Sequence, residues 1–328
     1  MKKYNVAVVG ATGLVGRTIL SIMEERGYPV ETLRCLSSKR SAGQIVQFAG
    51  KDIVVEELTE SSFDAGVDIA FFAAGGAVSE KFAPIAVEKG VVVIDNSSVF
   101  RMNPDVPLVV PEVNGEDIFK NKGIVSNPNC STIQCMPPLK ALQEKYGIKR
   151  VIYSTYQSVS GSGLNGLKDL DEGLVEFYPY PIQYNVLPHI DVFLENGYTK
   201  EEMKMIEETR KILGDPDMKI TATTVRVPVR FAHSVSVNVE LEKSFDISEV
   251  KEVLSAFPGI IVKDDPKNDM YPMPIDVEGK DEIFVGRIRR DFSLENGLNI
   301  WIVADNIRKG AATNAVQIGE IVAKGRIG

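Results

Sequence analysis

The sequence predicts an α/β protein in which a doubly wound domain is joined to an α+β domain with a mainly antiparallel sheet. In the first part of the chain, strands that are apolar throughout alternate with helices, a pattern typical of a parallel sheet covered on both faces. Beyond Arg150 the strands alternate between polar and apolar residues, as in Ser234–Glu242, which is typical of a sheet with one covered face. A chain of 328 residues is long enough for two such domains.

A glycine-rich turn follows the first predicted strand. The strand, Asn5–Val9, leads into Gly10-Ala-Thr-Gly13-Leu-Val-Gly16, and a helix continues to Arg26. This is the Rossmann-type arrangement that binds the diphosphate of a dinucleotide, because glycines let the backbone approach phosphates and a helix N-terminus attracts anions. The spacing is GxxGxxG rather than GxGxxG, so a tight turn that needs glycine for its own geometry is the alternative.

The end of the second predicted strand favours NADP over NAD. An NAD enzyme carries an acidic residue at the carboxyl end of this strand, whereas Glu31 stands at the beginning of Val30–Leu36. The carboxyl end is followed by Ser37–Gly43, where hydroxyls and the guanidinium of Arg40 suit a 2′-phosphate. A solvated basic loop is the alternative.

Two further strands end in segments that suit ligands. Ile69–Ala73 is followed by Ala74-Gly75-Gly76-Ala77, and Val91–Asp95 is followed by Asn96–Met102. Ligands of doubly wound sheets bind at the carboxyl ends of the strands. Arg101 is therefore a candidate for binding an anion, with a surface salt bridge as the alternative.

One cysteine lies at a predicted strand-to-helix turn, in the segment Ser126–Thr132. Pro128 keeps the preceding residue extended, and a helix is predicted from Ser131 to Lys145. Unpaired N–H groups and the helix dipole at such a position favour the thiolate form of Cys130. The alternative is a small buried packing residue, which is the interpretation of Cys35 and Cys135, since both lie among apolar neighbours.

Such a thiol needs a proton partner, and the chain has two histidines. His189 is flanked by apolar residues and is predicted to be structural, whereas His233 follows a break between two strands and is the predicted general acid/base. Upstream of His233, Thr199–Glu202 predicts a capping box that opens a helix to about Leu213.

Composition excludes several classes of function. A net charge of −8 argues against nonspecific nucleic-acid binding. Three cysteines in a chain of this length do not form a disulfide framework, so a reducing cytoplasm is the expected compartment. Two histidines without a CxxC pair give no zinc site, and no metal is expected. No stretch has the length and apolarity of a transmembrane helix, so no membrane association is expected.

A cysteine nucleophile combined with a nicotinamide cofactor indicates one chemistry: a thiolate adds to an aldehyde, hydride leaves for the nicotinamide, and a thioester remains. Over essentially the whole chain the motifs resemble those of the aspartate-β-semialdehyde dehydrogenase family. The motifs are, in order, Gly10–Gly16, Ser38–Gly43, Asn96–Arg101, Asn127–Thr132, Tyr156-Gln157 with Ser160-Gly161, Glu201–Lys204, Arg226–His233 and Lys309–Gln317.

The resemblance implies roles for individual residues. Cys130 would be the nucleophile, Gln157 would orient the substrate or intermediate, and His233 would be the acid/base. Arg226 would bind the substrate α-carboxylate and Glu201 its α-amino group, with the adjacent Glu202 as the alternative. The residues implied to bind phosphate or to line the substrate site are Arg101, Lys204, Asn129 and Ser160. Those implied to bind the cofactor are Gly10, Thr12, Gly13, Leu14, Val15, Ser38, Arg40, Ser41, Gly75, Gly76, Gly161 and Asn314.

The family reduces β-aspartyl phosphate with NADPH, reversibly and with release of phosphate, to the semialdehyde that leads to diaminopimelate, lysine, threonine and methionine. The resemblance also implies that the last helix returns to the first domain. The expected dinucleotide-binding domain is then 1–129 with 308–328, and the expected catalytic and dimerisation domain is 130–307. A homodimer through the second domain's sheet and Gly163–Pro181, or a homotetramer, is implied as well.

Two other functions compete with this interpretation. An N-acetyl-γ-glutamyl-phosphate reductase shares the architecture and the thioacyl chemistry, but that family has a different sequence around the cysteine and the glycine turn. A non-catalytic NADP-binding sensor would use Cys130 only for packing.

Overall fold

The computed structural model describes residues 2–325, whose contacts form two units. Residues 2–128 and 311–325 make the first unit, and Asn129–Gly310 makes the second. The first unit is thus built from both ends of the described chain. Within residues 2–325, no helix is both long enough and apolar enough to cross a membrane.

The first unit contains a six-stranded parallel sheet with the order β5-β2-β1-β6-β7-β8. Its elements are β1 Tyr4–Val9, α1 Leu14–Glu25, β2 Val30–Ser37, β3 Ile45–Phe48, β4 Lys51–Val54, β5 Glu56–Glu57, β6 Ile69–Phe72, α2 Gly76–Glu88, β7 Val92–Asp95, α3 Pro111–Asn114, β8 Ile124–Ser126 and the last helix, α9 Thr313–Gly325. The strand order reverses between β1 and β6, and this switch point is where doubly wound sheets bind ligands. The predicted fold class of the first part of the chain is confirmed.

Both faces of this sheet are covered, which explains its uniformly apolar strands. Along β1, Val6 and Val8 pack into one buried cluster with α1 and α9, whereas Ala7 and Val9 pack into a second cluster with α2. Successive side chains of a strand point to opposite faces, so a strand between two helical layers needs apolar residues at every position.

The second unit contains a mixed sheet with the order β10-β9-β11-β14-β13-β12. Its elements are α4 Cys130–Tyr146, β9 Ile148–Gln157, α5 Gly163–Glu172, α6 Lys200–Leu213, β10 Lys219–Arg226, β11 His233–Leu241, α7 Ile247–Ala256, β12 Ile260–Val262, α8 Pro274–Val277, β13 Ile283–Asp291 and β14 Gly297–Ala304. The three central pairs are antiparallel, so the prediction of a mainly antiparallel sheet is confirmed. The outer pairs β9–β10 and β12–β13 are parallel.

The parallel pairing of β10 with β9 brings residues for a site to one end of this sheet. Arg226 at the end of β10 is in register with Gln157 at the end of β9. The antiparallel partner β11 begins at the same end, with His233. The crossover from β9 to β10 contains α5 and α6, as a parallel connection requires a long segment.

A hairpin formed by β3 and β4 is missing from the sequence-based prediction. Its two-residue turn, Ala49-Gly50, has positive φ at both positions (50° and 71°), as in a type I′ turn. Asn-Gly or Asp-Gly would have signalled such a turn, whereas alanine rarely adopts positive φ.

Candidate active site

The glycine turn after β1 lies at the switch point of the parallel sheet. Gly10 has φ +86°, and a Cβ added there would lie 2.5 Å from the carbonyl oxygen of Ala73 at the end of β6. A Cβ on Gly16 would lie 2.1 Å from the carbonyl oxygen of Gly10. Gly13 has φ −77° and ordinary space for a Cβ, 3.4 Å from its nearest neighbour. The turn's own geometry therefore explains Gly10 and Gly16 but not Gly13.

Within the described chain, no side chain caps the helix that begins at this turn. Leu14 and Val15 form its first turn, so backbone N–H groups rather than a capping side chain face the end of the sheet. A helix start of this kind suits a phosphate.

The other cofactor candidates of the first unit surround the same strand ends. Thr12 Oγ1 lies 3.0 Å from Ser37 Oγ at the end of β2. Ser38, Arg40 and Ser41 follow in a single 3₁₀ turn, and the side chain of Arg40 is exposed. At the end of β6, Gly75 (φ +88°) precedes α2, which starts at Gly76.

Arg101 and Asn314 hold the segment that follows β8. Arg101 is buried, and its Nε and Nη2 donate hydrogen bonds to the carbonyl oxygens of Asn127 (3.0 Å) and Asn96 (2.8 Å). The amide nitrogen of Asn314 on α9 donates to Asn127 Oδ1 (2.7 Å) and to Val109 O (2.9 Å). Both side chains thus fix the backbone that leads to the cysteine.

Cys130 is the first residue of α4, and its turn is closed by a side-chain cap. Asn129 Oδ1 accepts hydrogen bonds from the N–H groups of Ser131 (3.0 Å) and Thr132 (3.3 Å). The expectation of unpaired N–H groups beside the thiol is therefore wrong for these two, because an N-cap asparagine satisfies them. A Cβ on Gly310 would lie 3.0 Å from Cys130 Cβ, so this glycine leaves room for the cysteine.

The sulfur of Cys130 is in contact with His233. The distance from Sγ to Nε2 is 3.2 Å, and the imidazole is fully buried. Burial and the nearby Arg226 hold the pKa of His233 well below its usual value. His189 stacks instead on Phe193, with ring centroids 4.2 Å apart.

The structure distinguishes Glu201 from Glu202. The buried carboxylate of Glu201 accepts from Asn129 Nδ2 (2.8 Å), Gln157 Nε2 (3.0 Å) and Lys204 Nζ (3.1 Å). Glu202 instead closes the predicted capping box with Thr199, at 2.7 Å from that residue's N–H. Of these two glutamates, Glu201 is therefore the one that contacts Asn129, the residue before Cys130.

Lys204 and three hydrogen bonds offset the effect of burial on the pKa of Glu201. Burial alone would raise the pKa of Glu201, but the charge of Lys204 and hydrogen bonds from Gln157, Asn129 and Lys204 hold it below its usual value. For Lys204, burial lowers the pKa, and the carboxylates of Glu201 and Asp191 outweigh that effect and raise it. Asp191 Oδ2 lies 2.8 Å from Lys204 Nζ.

Arg226 supplies a buried guanidinium at the same end of the sheet. Its Nη1 donates to the carbonyl oxygen of Ser158 (2.7 Å), while its buried Nε has no hydrogen-bond partner among residues 2–325. A Cβ on Gly161 would lie 3.0 Å from this Nη1 and 3.3 Å from His233 Cε1. Sequence reasoning alone could not choose between Arg226 and Arg230; the latter is exposed and pairs with Asp171.

Three residues of this cluster were missed by sequence reasoning. Ser158 contacts the imidazole of His233 directly, and Asn306 contacts the hydroxyl of Ser158. Glu208 Oε2 accepts the backbone N–H of Asn129 at 2.7 Å. The predicted site residue Ser160 is buried, and its hydroxyl lies 3.0 Å from Asn306 Nδ2. No spacing in the sequence links these positions, because strand pairing brings Ser158 to His233 and the packing of α6 against α4 brings Glu208 to Asn129.

A dinucleotide-type sheet and a half-buried cysteine in contact with a buried histidine are both typical of nicotinamide-dependent oxidoreductases that use a thiol. Comparison with known proteins agrees with this class. Residues 5–121 match the family model described as semialdehyde dehydrogenase, NAD binding domain, and residues 139–309 match semialdehyde dehydrogenase, dimerisation domain.

Full-length relatives specify the family. Aspartate-semialdehyde dehydrogenase of Aquifex aeolicus is 55% identical, covering 98% of both chains, and that of Bacillus subtilis is 47% identical, covering 98% of this chain and 97% of the relative. The crystal structure of aspartate semialdehyde dehydrogenase II from Vibrio cholerae, complexed with ASA, is 45% identical with a TM-score of 0.94 over 99% of both chains. This chain belongs to the aspartate-semialdehyde dehydrogenase family. The resemblance is thereby confirmed, and neither competing function receives support.

Proposed function

We propose that this protein interconverts aspartate semialdehyde and β-aspartyl phosphate with NADP(H), through a thioester on Cys130. The observation that carries the proposal is the 3.2 Å contact between Cys130 Sγ and His233 Nε2, beside the buried charges of Glu201 and Arg226. A thiol on which an acyl group can be formed and transferred is the centre of this chemistry.

The charges fit a substrate that carries both an amino group and a carboxylate. The Nε of buried Arg226, which has no partner in the described part of the chain, suits the α-carboxylate, since buried polar groups normally have partners. Glu201, which is ionised against Lys204, suits the α-ammonium. Gln157, Asn129 and Ser160 would orient the substrate, and Arg101 and Lys204 would bind the phosphate group.

In the oxidative direction, His233 would take the proton of the Cys130 thiol, the thiolate bonds to the aldehyde carbon, and the carbonyl π pair moves to oxygen. That pair re-forms C=O as hydride leaves, which gives the thioester; attack by phosphate then breaks the C–S bond and releases the thiolate. When bound, the nicotinamide supplies or accepts the hydride. His233 is the proposed acid/base because its Nε2 contacts the sulfur, and Glu201 and Arg226 would hold the substrate.

The decisive experiment is NADPH formation from aspartate semialdehyde, with and without phosphate. We expect turnover only with phosphate or its analogue arsenate. Oxidation that does not depend on phosphate would refute the acyl-phosphate step. Activity with N-acetyl-γ-glutamate semialdehyde and none with aspartate semialdehyde would refute the substrate.

The proposed cofactor is NADP, bound by the glycine turn and the 3₁₀ turn with Arg40. A related structure, aspartate semialdehyde dehydrogenase from Candida albicans with NADP, is 27% identical with a TM-score of 0.79. Arg40→Ala should weaken NADPH binding by about tenfold or more, since it removes a charged partner of the 2′-phosphate. NADH binding is the control, and equal weakening of both cofactors would contradict the assignment.

We also propose a homodimer or homotetramer formed through the second unit, whose residues 139–309 match a dimerisation-domain model. The proposed compartment is the cytoplasm, because a cysteine nucleophile must stay reduced. The proposed reaction belongs to the biosynthesis of lysine, threonine and methionine. Light scattering of the purified protein tests the oligomeric state, and a monomer at micromolar concentration would contradict it.

A further inference from the structure

We propose that Glu208 is a positioning residue: its buried carboxylate holds the backbone N–H of Asn129 and thereby fixes the direction in which the next residue, Cys130, presents its thiol. The inference deepens the proposed function and rests on it, because it takes Cys130 as the nucleophile that the aldehyde must meet. Glu208 acts through Asn129 and needs no contact with the substrate. All three residues lie in the second unit.

Asn129 is bound at each of its polar groups. Its N–H donates to Glu208 Oε2 at 2.7 Å, and its carbonyl oxygen accepts the first hydrogen bond of α4, from the N–H of Ile133 at 2.9 Å. Its Oδ1 caps the helix through two N–H groups, and its Nδ2 donates to Glu201 at 2.8 Å. A residue held at four groups has little freedom to rotate, so the chain enters α4 in a fixed direction.

The bond from Glu208 takes the place of one that many helices make within themselves. In a capping box, Glu or Gln at the third helical position accepts the N–H of the N-cap residue. The helix α6 has such a box, in which Glu202 binds the N–H of Thr199 at 2.7 Å. The third position of α4 is Thr132, whose hydroxyl donates instead to Met205 Sδ on α6 at 3.6 Å. Glu208 therefore completes the cap of α4 from another helix.

The geometry of α6 brings two carboxylates to Asn129. Glu201 and Glu208 are about two helical turns apart and so lie on the same face of α6, which packs against α4. Glu201 binds the side chain of Asn129, whereas Glu208 binds its main chain. In the proposed function Glu201 also binds the α-ammonium of the substrate. Glu208 thus provides a contact to Asn129 that is separate from substrate binding.

The surroundings of Glu208 suit an ionised carboxylate. Glu208 is 1% exposed, and 2.7 Å is short for a bond from N–H to oxygen, as charge-assisted bonds are. The positive end of the α4 dipole lies at Asn129. Burial lowers the pKa of Lys211, about one turn further along α6, and the charge of Glu208 opposes that effect. Removing the carboxylate would take this partner from a buried N–H.

The direction of the thiol matters because the substrate is held by its own charged groups while the sulfur must reach its aldehyde carbon. A displacement of about 1 Å at the reacting atoms can lower the rate by about 10²-fold. A small alkylating agent is not held in this way, so its reaction depends on the access and ionisation of the thiol. Comparing the two reactions separates a residue that directs the thiol from one that makes it reactive.

Glu208→Met tests this role, because methionine has a similar volume but no oxygen to accept the N–H. We expect kcat for NADPH formation from aspartate semialdehyde to fall by about tenfold or more, with the KM for phosphate unchanged. Alkylation of Cys130 by iodoacetamide, followed by mass spectrometry, should stay within about threefold of wild type. Glu208→Gln keeps an acceptor oxygen and should restore kcat to within about threefold.

Two controls on α6 separate positioning from stability. Glu207→Ala removes the neighbouring carboxylate and should leave kcat unchanged. Thr209→Val removes a buried hydroxyl that lies 2.9 Å from Tyr153 OH and donates to the carbonyl oxygen of Met205 at 2.6 Å. It should lower thermal stability without lowering kcat. If Thr209→Val lowers kcat as much as Glu208→Met does, the loss is a general effect of destabilising α6 and the positioning role is refuted.

Three other results would also overturn the proposal. They are wild-type kcat in folded Glu208→Met, an equal loss of kcat in Glu208→Gln, and a fall in alkylation that matches the fall in kcat. The last result would mean that Glu208 sets the reactivity of the thiol rather than its direction. If Glu208→Met does not fold, Glu208→Ala, in which water can reach the N–H, carries the same test.

Amide hydrogen exchange tests the contact without turnover. NMR should show exchange of the Asn129 N–H at least about tenfold faster in Glu208→Met than in wild type, and within about threefold of wild type in Glu208→Gln. Unchanged exchange in Glu208→Met would refute the contact itself. Absence of phosphate-dependent turnover in the wild type would instead refute the proposed function and leave the exchange result to stand.

Discussion

Two strand-to-helix turns of this protein are built in opposite ways. The turn between β1 and α1 consists of glycines and small residues, and no side chain of residues 2–325 caps its helix. The turn between β8 and α4 contains Asn129, which caps its helix through two N–H groups and donates to Glu201. Each turn follows a buried parallel strand, so the difference lies in the turn residues alone.

The difference matches the ligands that the two turns are proposed to serve. A diphosphate needs backbone N–H groups and close approach, which glycines without a cap allow. A nucleophilic sulfur needs a fixed direction, and a capped helix start held by buried hydrogen bonds provides it. The glycine turn thus keeps backbone groups for a ligand, whereas the cysteine turn uses them to position its own side chain.

The largest expected effect comes from the cysteine turn. Cys130→Ser should reduce turnover by at least about 10⁴-fold, because removing a nucleophile abolishes the covalent route. NADPH binding, measured by fluorescence titration, should remain within a few-fold of wild type. Loss of both activity and binding would mean that the two turns do not work separately.

The glycine turn should respond to substitution at one position and tolerate it at another. Gly16→Ala places a Cβ 2.1 Å from Gly10 O and should cost about 3 kcal/mol in stability, cofactor binding or both. The matched variant Gly13→Ala has space for its Cβ and should change the free energy of unfolding by less than about 1 kcal/mol. In Gly13→Ala, NADPH affinity is the sensitive readout, since close approach of a phosphate is the remaining reason for glycine there. Equal unfolding effects of the two variants would contradict this geometry.

Two variants of Asn129 separate capping from orientation. Asn129→Ala should destabilise the protein by about 1 kcal/mol, the usual effect of losing an N-cap, and should lower kcat as well. Asn129→Asp keeps the capping oxygen but sets a carboxylate against Glu201. It should therefore keep the cap and still lose activity. Thermal unfolding and steady-state kinetics measure the two effects, and full activity in Asn129→Asp would exclude an orienting role for the amide.

The smallest effect is a pH dependence of the cysteine turn. Glu201 has a folded pKa below its ordinary value of 4.5. Its ionised form therefore stabilises the fold above that pH, and this contribution is lost as the pH falls through the folded pKa. Glu201→Gln should flatten the decline in unfolding free energy below about pH 4.5. An unchanged decline would show that other carboxylates dominate acid unfolding.

Local pattern predicted much of the fold. The apolar strands, the glycine turn and the capping box of α6 all depend on residues close in sequence, whose conformational preferences act locally. The hairpin of β3 and β4 was not predicted, because its turn, Ala49-Gly50, lacks the Asn-Gly or Asp-Gly pair that is usual in such turns. The parallel pairs β9–β10 and β12–β13 at the edges of the second sheet were not predicted, because strand direction depends on how the long crossover packs.

By itself, the sequence determined the two classes of domain, the position of Cys130 at a helix start and, through ordered motifs, the family. Tertiary structure decided that Glu201 rather than Glu202 faces the cysteine turn, and that Arg226 rather than Arg230 is buried at the sheet end. It also placed the N–H of Ser158 on His233 Nδ1. The physical reason is that a hydrogen bond between residues 75 positions apart depends on strand register and burial, which no local pattern specifies.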